Sequence, residues 1–498
     1  MAIDQVTLQI FANHCSAAAE TTARTLLRTA HSTFVRESED FTIGIVSPTG
    51  QTFASPFSFG ATWFVGLDYG SAIKMIDEYH EGDICLTNDP YSGFVCTHSP
   101  DMHLWKPVFH QGELLCFIAG HIHNTDVGGA VPATLSRTLS EVHQEGIRIP
   151  PSKIYSRGVL NEELLNIMLA NVRMPEQNWG DMKAQAAAMN TGEQKILAIV
   201  NRFGAKTFKE GAKQLLDMAE QQARHLIRKM PDGEYFFCDY MDEDGPGGYP
   251  ARIAVNLIID GDEIVFDFTG SDPQLTSSLN IPTGGDERHV LMMIALVYVL
   301  YTLDPTILRN AGLARAARCI LPEGSIVNPK FPAAVGMRSL GTVRAMSAVF
   351  GAFAQALPHF LQAGPGGGGT LVNVRTTDNR TGRQVMANVS PITAGAGGSA
   401  DEDGAEGNGH NESFFKNTPV EINEAETPIK ILGYSLAPDS GGPGKHRGGL
   451  ATSLTFQVFA PNTTITARNR DRVRFTPYGI AGGAAGASSE FILNPDSD

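Results

Sequence analysis

The chain has no run of Lys and Arg that could form a basic patch, and acids outnumber bases, 53 Asp and Glu against 38 Lys and Arg, for a formal charge of -15 over 498 residues. Such a surface repels a polyanion, so a nucleic-acid partner is not expected. The aromatic signature of an RNA-binding strand and a zinc-finger spacing are missing as well. Cysteine is scarce: the six residues, Cys15, Cys85, Cys96, Cys116, Cys238 and Cys319, are scattered with no Cys-x-x-Cys pair, which fits buried reduced thiols in a cytoplasmic protein. Long apolar runs are missing too. The most apolar stretch, HVLMMIALVYVL from His289 to Leu300, is too short to span a bilayer, which takes about 20 residues, and suits a buried helix, so no membrane association is expected. The N-terminus, MAIDQVTLQI, places an acid where a signal peptide has bases. A nucleotide-binding motif is also lacking: the glycine tract AGPGGGGT at 363–370 is not followed by Lys and Ser or Thr. It reads as a flexible loop, with backbone approach to an anion as the alternative.

What is present describes a globular chain rich in turns: 42% hydrophobic and 18% charged residues, with 52 glycines and 28 prolines. Its length suggests about three domains at ~150 residues each. Residues 4–33 recur at helical spacing, and 161–230 read as a nearly continuous helical layer stopped by Pro231-Asp232-Gly233. Alternating strands follow to about 267, then helices over 286–360, then short strands and glycine turns to the end. This order has no βαβ period, so the expected class is α+β: mixed helical and sheet layers with a β-rich C-terminal part. The expected regions are 1–232, holding the candidate site and the helical layer, a mixed 233–365, and a glycine-rich, β-rich 366–498.

Chemistry concentrates between Asn88 and Gly129, where His98, Asp101, His103, His121, His123 and Asp126 fall into two short clusters. Between them KPVF and ELLCFIAG are short apolar strands joined at His-Gln-Gly, a hairpin connection of about three residues. A hairpin brings its outer ends together, and these ends carry HSPDMH and HIHNTD. Period-two alternation places His121 with His123, and Asp101 with His103, on one face. Imidazole and carboxylate without paired cysteines suit a catalytic site for zinc, manganese, iron or cobalt. The alternative is that some of the six are satisfied polar groups at strand ends and turns. Asp40 lies at a helix-to-strand joint, where residues alone read as a turn or capping carboxylate. Arg137, Glu141, His143, Glu145 and Arg148 read as a solvated helix end, with a substrate-contacting loop as the alternative. Asp242, Glu243 and Asp244 read as an acidic turn lacking the oxygen pattern of a calcium loop.

Several longer motifs occur in order: RESEDFTIGIVSPTGQ at 36–51, NDPY at 88–91, HSPD at 98–101, HNTDVGG at 123–129 and QEGIRIPP at 144–151. FDFTGSDPQ at 266–274, NTPVE at 417–421, DSGGPGKHRGG at 439–449 and RDRVRFTPYGIAGG at 470–483 continue the series. In these the chain resembles the hydantoinase B/oxoprolinase family, the subunit that pairs with an ATP-binding hydantoinase A type subunit. Two departures stand out: GFVCT replaces the usual two glycines before the histidine motif, and the chain stops at Asp498, where members usually carry a further glycine-rich segment. The resemblance implies one divalent transition metal, zinc or manganese, on Asp40, His98, Asp101 and His123, with His121, His103 and Asp126 as neighbours that either support the ligands, as a carboxylate orienting a ligand imidazole does, or face the substrate. It further implies a hetero-oligomer of two heterodimers, with ATP and Mg on the partner.

The expected activity is opening of a lactam, hydantoin or related cyclic amide. The partner activates the small-molecule substrate with ATP, and this chain completes the reaction at its metal, with His121 or Asp126 passing a proton to the leaving nitrogen. An ATP-dependent ketone carboxylase subunit and a non-catalytic scaffold for the ATPase are the alternatives.

Overall fold

A computed structural model of the chain describes residues 3–245, 247–367, 369–408 and 416–495. Position 368 of the glycine tract, and 409–410 at the end of the loop expected from 394 onward, lie outside the described residues.

The first helix, Gln5–Thr29, starts where Asp4 accepts the Thr7 N–H, a side-chain cap for one of the four orphan donors. It is shorter than the expected 4–33 because the His31 and Ser32 N–H groups are taken by Asp181. Ser32 then caps a second short helix, Thr33–Arg36. The helical layer comprises Glu162–Ala170, Pro175–Phe203 and Ala205–Ile227.

The site-bearing sheet has seven antiparallel strands: β1 (Gly44–Val46), β2 (Thr52–Ala54), β3 (Ile84–Thr87), β4 (Asp101–His110), β5 (Glu113–His123), β6 (Ser152–Ser156) and β7 (Val159–Leu160), in the order β2-β1-β5-β4-β3-β6-β7. The expected hairpin is β4–β5 at the centre. Its turn is two residues rather than three, Gln111 and Gly112, both at positive φ (52° and 80°) while His110 pairs with Glu113. That backbone matches the right-handed twist of the strands it joins.

Alternation then sorts the side chains. Met102, Leu104, Cys116, Ile118 and Ile122 pack against Phe11, Ala188 and Phe208 of the long helices. Trp105, Phe117 and Ala119, on the face that carries the His and Asp residues, join a core with helices Val290–Leu303 and Arg338–Ala356. The apolar run at 289–300 is thus a buried helix, and no described helix is long and apolar enough to cross a membrane.

The second sheet holds β8 (Gly233–Met241), β9 (Ala251–Asp260), β10 (Glu263–Asp267) and β11 (Ala317–Ile320), in the order β11-β10-β9-β8, with β11 parallel to β10. Its residues Ile253, Val255 and Phe266 share one core with Trp105 and Phe117. β8 follows the helical layer directly and packs on the helix Arg338–Ala356, and residues on both sides of position 232, Leu226 and Ile227 before it and Met241 and Ile253 after it, lie in the same core. The last quarter is strand-rich, with β12 (Thr370–Thr377), β13 (Gln384–Ile392), β14 (Ile429–Leu436), β15 (Thr452–Val458) and β16 (Thr464–Arg468). They form sheets β13-β12-β16 and β14-β15 around one short helix, Val420–Glu426. The α+β arrangement is as expected.

Candidate metal centre

Cross-strand register makes the site. Asp101 pairs with His123 and His103 with His121, so four polar side chains stand on one face at the hairpin's open end, and all are buried. Phe41 bridges to Ile122, and the Asp40 carbonyl accepts the His123 N–H at 3.0 Å, which adds Asp40 at the sheet's edge.

His98 is held by its Nδ1, 2.8 Å from the Gly336 carbonyl oxygen. A carbonyl only accepts, so Nδ1 carries the proton and the Nε2 lone pair faces Asp101 Oδ1 at 3.0 Å. Burial, reinforced by the Arg338 charge, lowers the His98 pKa to about 4, so the ring is neutral at pH 7. A lone pair opposite a carboxylate oxygen calls for a cation between or beside them. The other oxygen, Asp101 Oδ2, is spent on Arg338 (2.8 Å) and Thr97 (2.9 Å). Against the cost of burial, the Arg338 guanidinium 2.8 Å away holds this carboxyl well below the usual range.

One ligand atom each from His98, Asp101 and His123 lies within 4.8 Å of the others. His123 stacks on Phe34 at 4.7 Å, and its Nε2 is 3.4 Å from the Arg468 guanidinium. Asp40 stands one step away: His121 Nε2 is 4.0 Å from both Asp40 Oδ1 and Asp101 Oδ1. Burial and the Asp101 charge raise the Asp40 pKa to about 7, a cost that a cation nearby would remove. His121 is fixed by Thr42 Oγ1 on Nδ1 (2.8 Å) and stacks on His103, whose Nδ1 meets the Tyr69 hydroxyl at 3.1 Å.

The donor set fits a divalent ion of the zinc or manganese kind. Three buried nitrogens, His103 Nε2, His121 Nε2 and His123 Nδ1, have no hydrogen-bond partner, which costs about 1–3 kcal/mol each unless something else binds them. Burial also keeps these imidazoles neutral, the state in which they ligate. His98, Asp101 and His123 would hold the ion, with Asp40 and His121 beside it.

Asp126 is placed differently from the proton shuttle expected. Its oxygens accept the N–H groups of Gly128, Ala133 and Arg173 and the Arg173 guanidinium (2.8 Å). A carboxylate so engaged fastens the loop after β5 and has no free oxygen edge for proton transfer.

Glu145 also departs from expectation. The segment Val142–Glu145 is a short turn, and instead of lying in a solvated run Glu145 is fully buried, with Oε1 accepting the Val335 and Gly336 N–H groups at 2.9 and 2.6 Å. It thereby aims the Gly336 carbonyl at His98. Burial pushes its pKa up to about 8, so at pH 7 it is protonated. With the folded pKa above the unfolded one, folding takes up a proton, and stability falls as pH rises between about 4.5 and about 8. Glu145→Gln is expected to flatten that fall in pH-dependent urea unfolding. Glu145→Ala is expected to weaken metal affinity by about tenfold by leaving the His98 support unpaired.

Sequence reading missed Arg338, Arg468, Thr42 and Thr97. For Arg338 a signal existed: it opens a helix, where the macrodipole disfavours a cation unless an anion faces it. Gly120 explains the position of Thr42, because a Cβ there would lie 2.0 Å from the Thr42 carbonyl oxygen. Gly120→Ala is expected to cost about 1–3 kcal/mol in urea unfolding and to loosen His121.

A family model described as Hydantoinase B/oxoprolinase matches residues 4–498. The B component of a putative D-/L-hydantoinase from Pseudomonas sp. is 29% identical, covering 97% of this chain and 83% of its own. The beta chain of the caprolactamase from Pseudomonas jessenii is 32% identical over 84% of this chain and 71% of its own. The crystal structure of that ATP-dependent caprolactamase superposes with a TM-score of 0.82 at 26% identity, covering 99% of this chain and 88% of the other. A nucleotide-free acetone carboxylase shares the fold, with a TM-score of 0.87 at 20% identity over 98% of this chain and 66% of the carboxylase chain.

Proposed function

The chain belongs to the hydantoinase B/oxoprolinase family, and from that premise we propose that it carries out the metal-dependent step of an ATP-dependent cyclic amide hydrolase, working with a separate ATP-binding subunit of hydantoinase A type. The observation that carries this reading is the buried group of His98, Asp101 and His123 with unpaired nitrogens around it. Relatives named as the B component of a hydantoinase and the beta chain of a caprolactamase support a partner subunit. The glycine tract without Lys and Ser or Thr supports leaving ATP to that partner.

An unstrained amide carbonyl is a poor electrophile, so activation by ATP precedes attack. A divalent ion polarises a carbonyl oxygen and lowers the pKa of water towards ~7. The chain's own residues then divide the work. Asp101, paired with Arg338, keeps its negative charge in a dry site. Thr42 and Tyr69 orient His121 and His103, whose Nε2 atoms are free to take a proton from water or hand one to the leaving nitrogen. The two rings stack with 5.0 Å between centroids, and His121 Nε2 lies 4.0 Å from both Asp40 and Asp101.

The test is turnover of the chain reconstituted with its ATP-binding subunit, wild type beside His98→Ala, on lactams and hydantoins with ATP and carbon-labelled bicarbonate. Ring-opened product that carries no label and is lost in the variant supports the reading. With small ketones offered in a parallel reaction, label in a ketone-derived product would make the chain a carboxylase subunit, and full turnover by the variant would make it a scaffold.

A further inference from the structure

A pocket of about 190 Å³ lies against the metal centre on its His121 side. Its inner wall is Thr42, which bonds His121 Nδ1, and Phe64, whose ring meets the His121 ring edge-on at 4.7 Å. The outer wall is the segment 55–61, pressed onto Phe41 in the stretch between Asp40 and β1. Gly60 sits there at φ +87°, where a Cβ would lie 2.6 Å from the Phe41 carbonyl oxygen. Glu20 ties the segment down by accepting the Phe57 and Ser58 N–H groups.

Two cations line the pocket, and they differ. Lys416 is paired with Glu39 at 2.7 Å. Arg309 forms no ion pair among the described residues. Its guanidinium lies over the Phe57 ring at 4.2 Å and reaches the Phe57 carbonyl oxygen at 3.4 Å; the nearby Glu20, whose charge it feels, gives Oε2 to the Phe57 and Ser58 N–H groups and makes no ion pair with it. A stacked guanidinium with most of its five donors unspent is pre-organised for a planar anion.

We propose that this pocket seats the substrate beside the metal centre, with Arg309 holding a carboxylate of the substrate and Phe57, Phe59 and Phe64 packing its apolar body. The occupant's cyclic amide rests on the function proposed above; the anion subsite does not. The substrate class is therefore a small carboxylate-bearing amide, and Arg309 is a specificity-determining residue.

The test is ligand-detected NMR binding to the metal-loaded chain with two matched pairs: hydantoin-5-acetate against 5-ethylhydantoin, and pentanoate against pentanamide. The wild type is expected to prefer each acid by at least tenfold. Arg309→Met is expected to abolish the preference while keeping the wild-type metal content, and Arg309→Lys to restore part of it. Preference within the second pair, with neither hydantoin bound, would keep the subsite and remove the cyclic amide reading. Equal affinity within both pairs for wild type, no binding of any probe, or a preference that survives Arg309→Met would overturn the proposal.

Discussion

Asp101→Asn is expected to strip the divalent ion from the chain and to lower its stability by about 3–5 kcal/mol. Both effects follow from one carboxylate. Its Oδ1 faces His98 and His121, so loss of the charge removes the anionic member of the ligand group. Its Oδ2 neutralises Arg338, which is only 5% exposed, and an amide leaves that guanidinium buried without a counterion. Metal content by plasma mass spectrometry and urea unfolding read the two effects separately. Asp126→Asn is the contrast: its partner Arg173 is a quarter exposed at the side chain, so the ion is expected to stay bound.

The second large effect is expected far from the ligands. Asp239 on β8 holds two buried arginines, Arg472 at 2.8 and 3.0 Å and Arg344 at 3.1 Å, and Arg344 Nε also meets Asp471 at 3.2 Å. Against burial, those arginines hold the Asp239 carboxyl below its ordinary value. Asp239→Asn leaves two guanidinium groups facing one remaining carboxylate, Asp471. A loss of about 3–5 kcal/mol is expected in urea unfolding. The arginines also fasten the chain just after Arg468, whose guanidinium faces His123. Metal affinity is therefore expected to fall with stability, whereas a lesion confined to the β8 end would leave affinity unchanged.

The hairpin and its cluster were legible because two-residue alternation and a short turn are local properties. Once His110 and Glu113 pair, the register of Asp101 with His123 follows by counting along the strands. Helix positions were legible for the same reason, from spacing within one segment. Asp40 was not, since its residues suit a cap equally well and only the family resemblance favoured a ligand. Asp126 misled because nearness in sequence to His123 does not fix direction: Gly128 and Gly129, both at positive φ, turn the loop back toward Arg173. Arg338 and Arg468 come from 237 and 345 residues away along the chain. Contacts at that separation are set by how the layers stack. The shared core across residue 232 was hidden likewise, because composition changes there while the apolar faces on both sides meet.

The most direct measurement is anomalous diffraction from crystals of the chain purified without chelators, with data on both sides of the zinc and manganese edges. The account predicts one peak bonded to His98, Asp101 and His123 at the distances of a transition metal, about 2.0–2.2 Å. Density for all three side chains with no anomalous peak between them, after soaking with either ion, would contradict it.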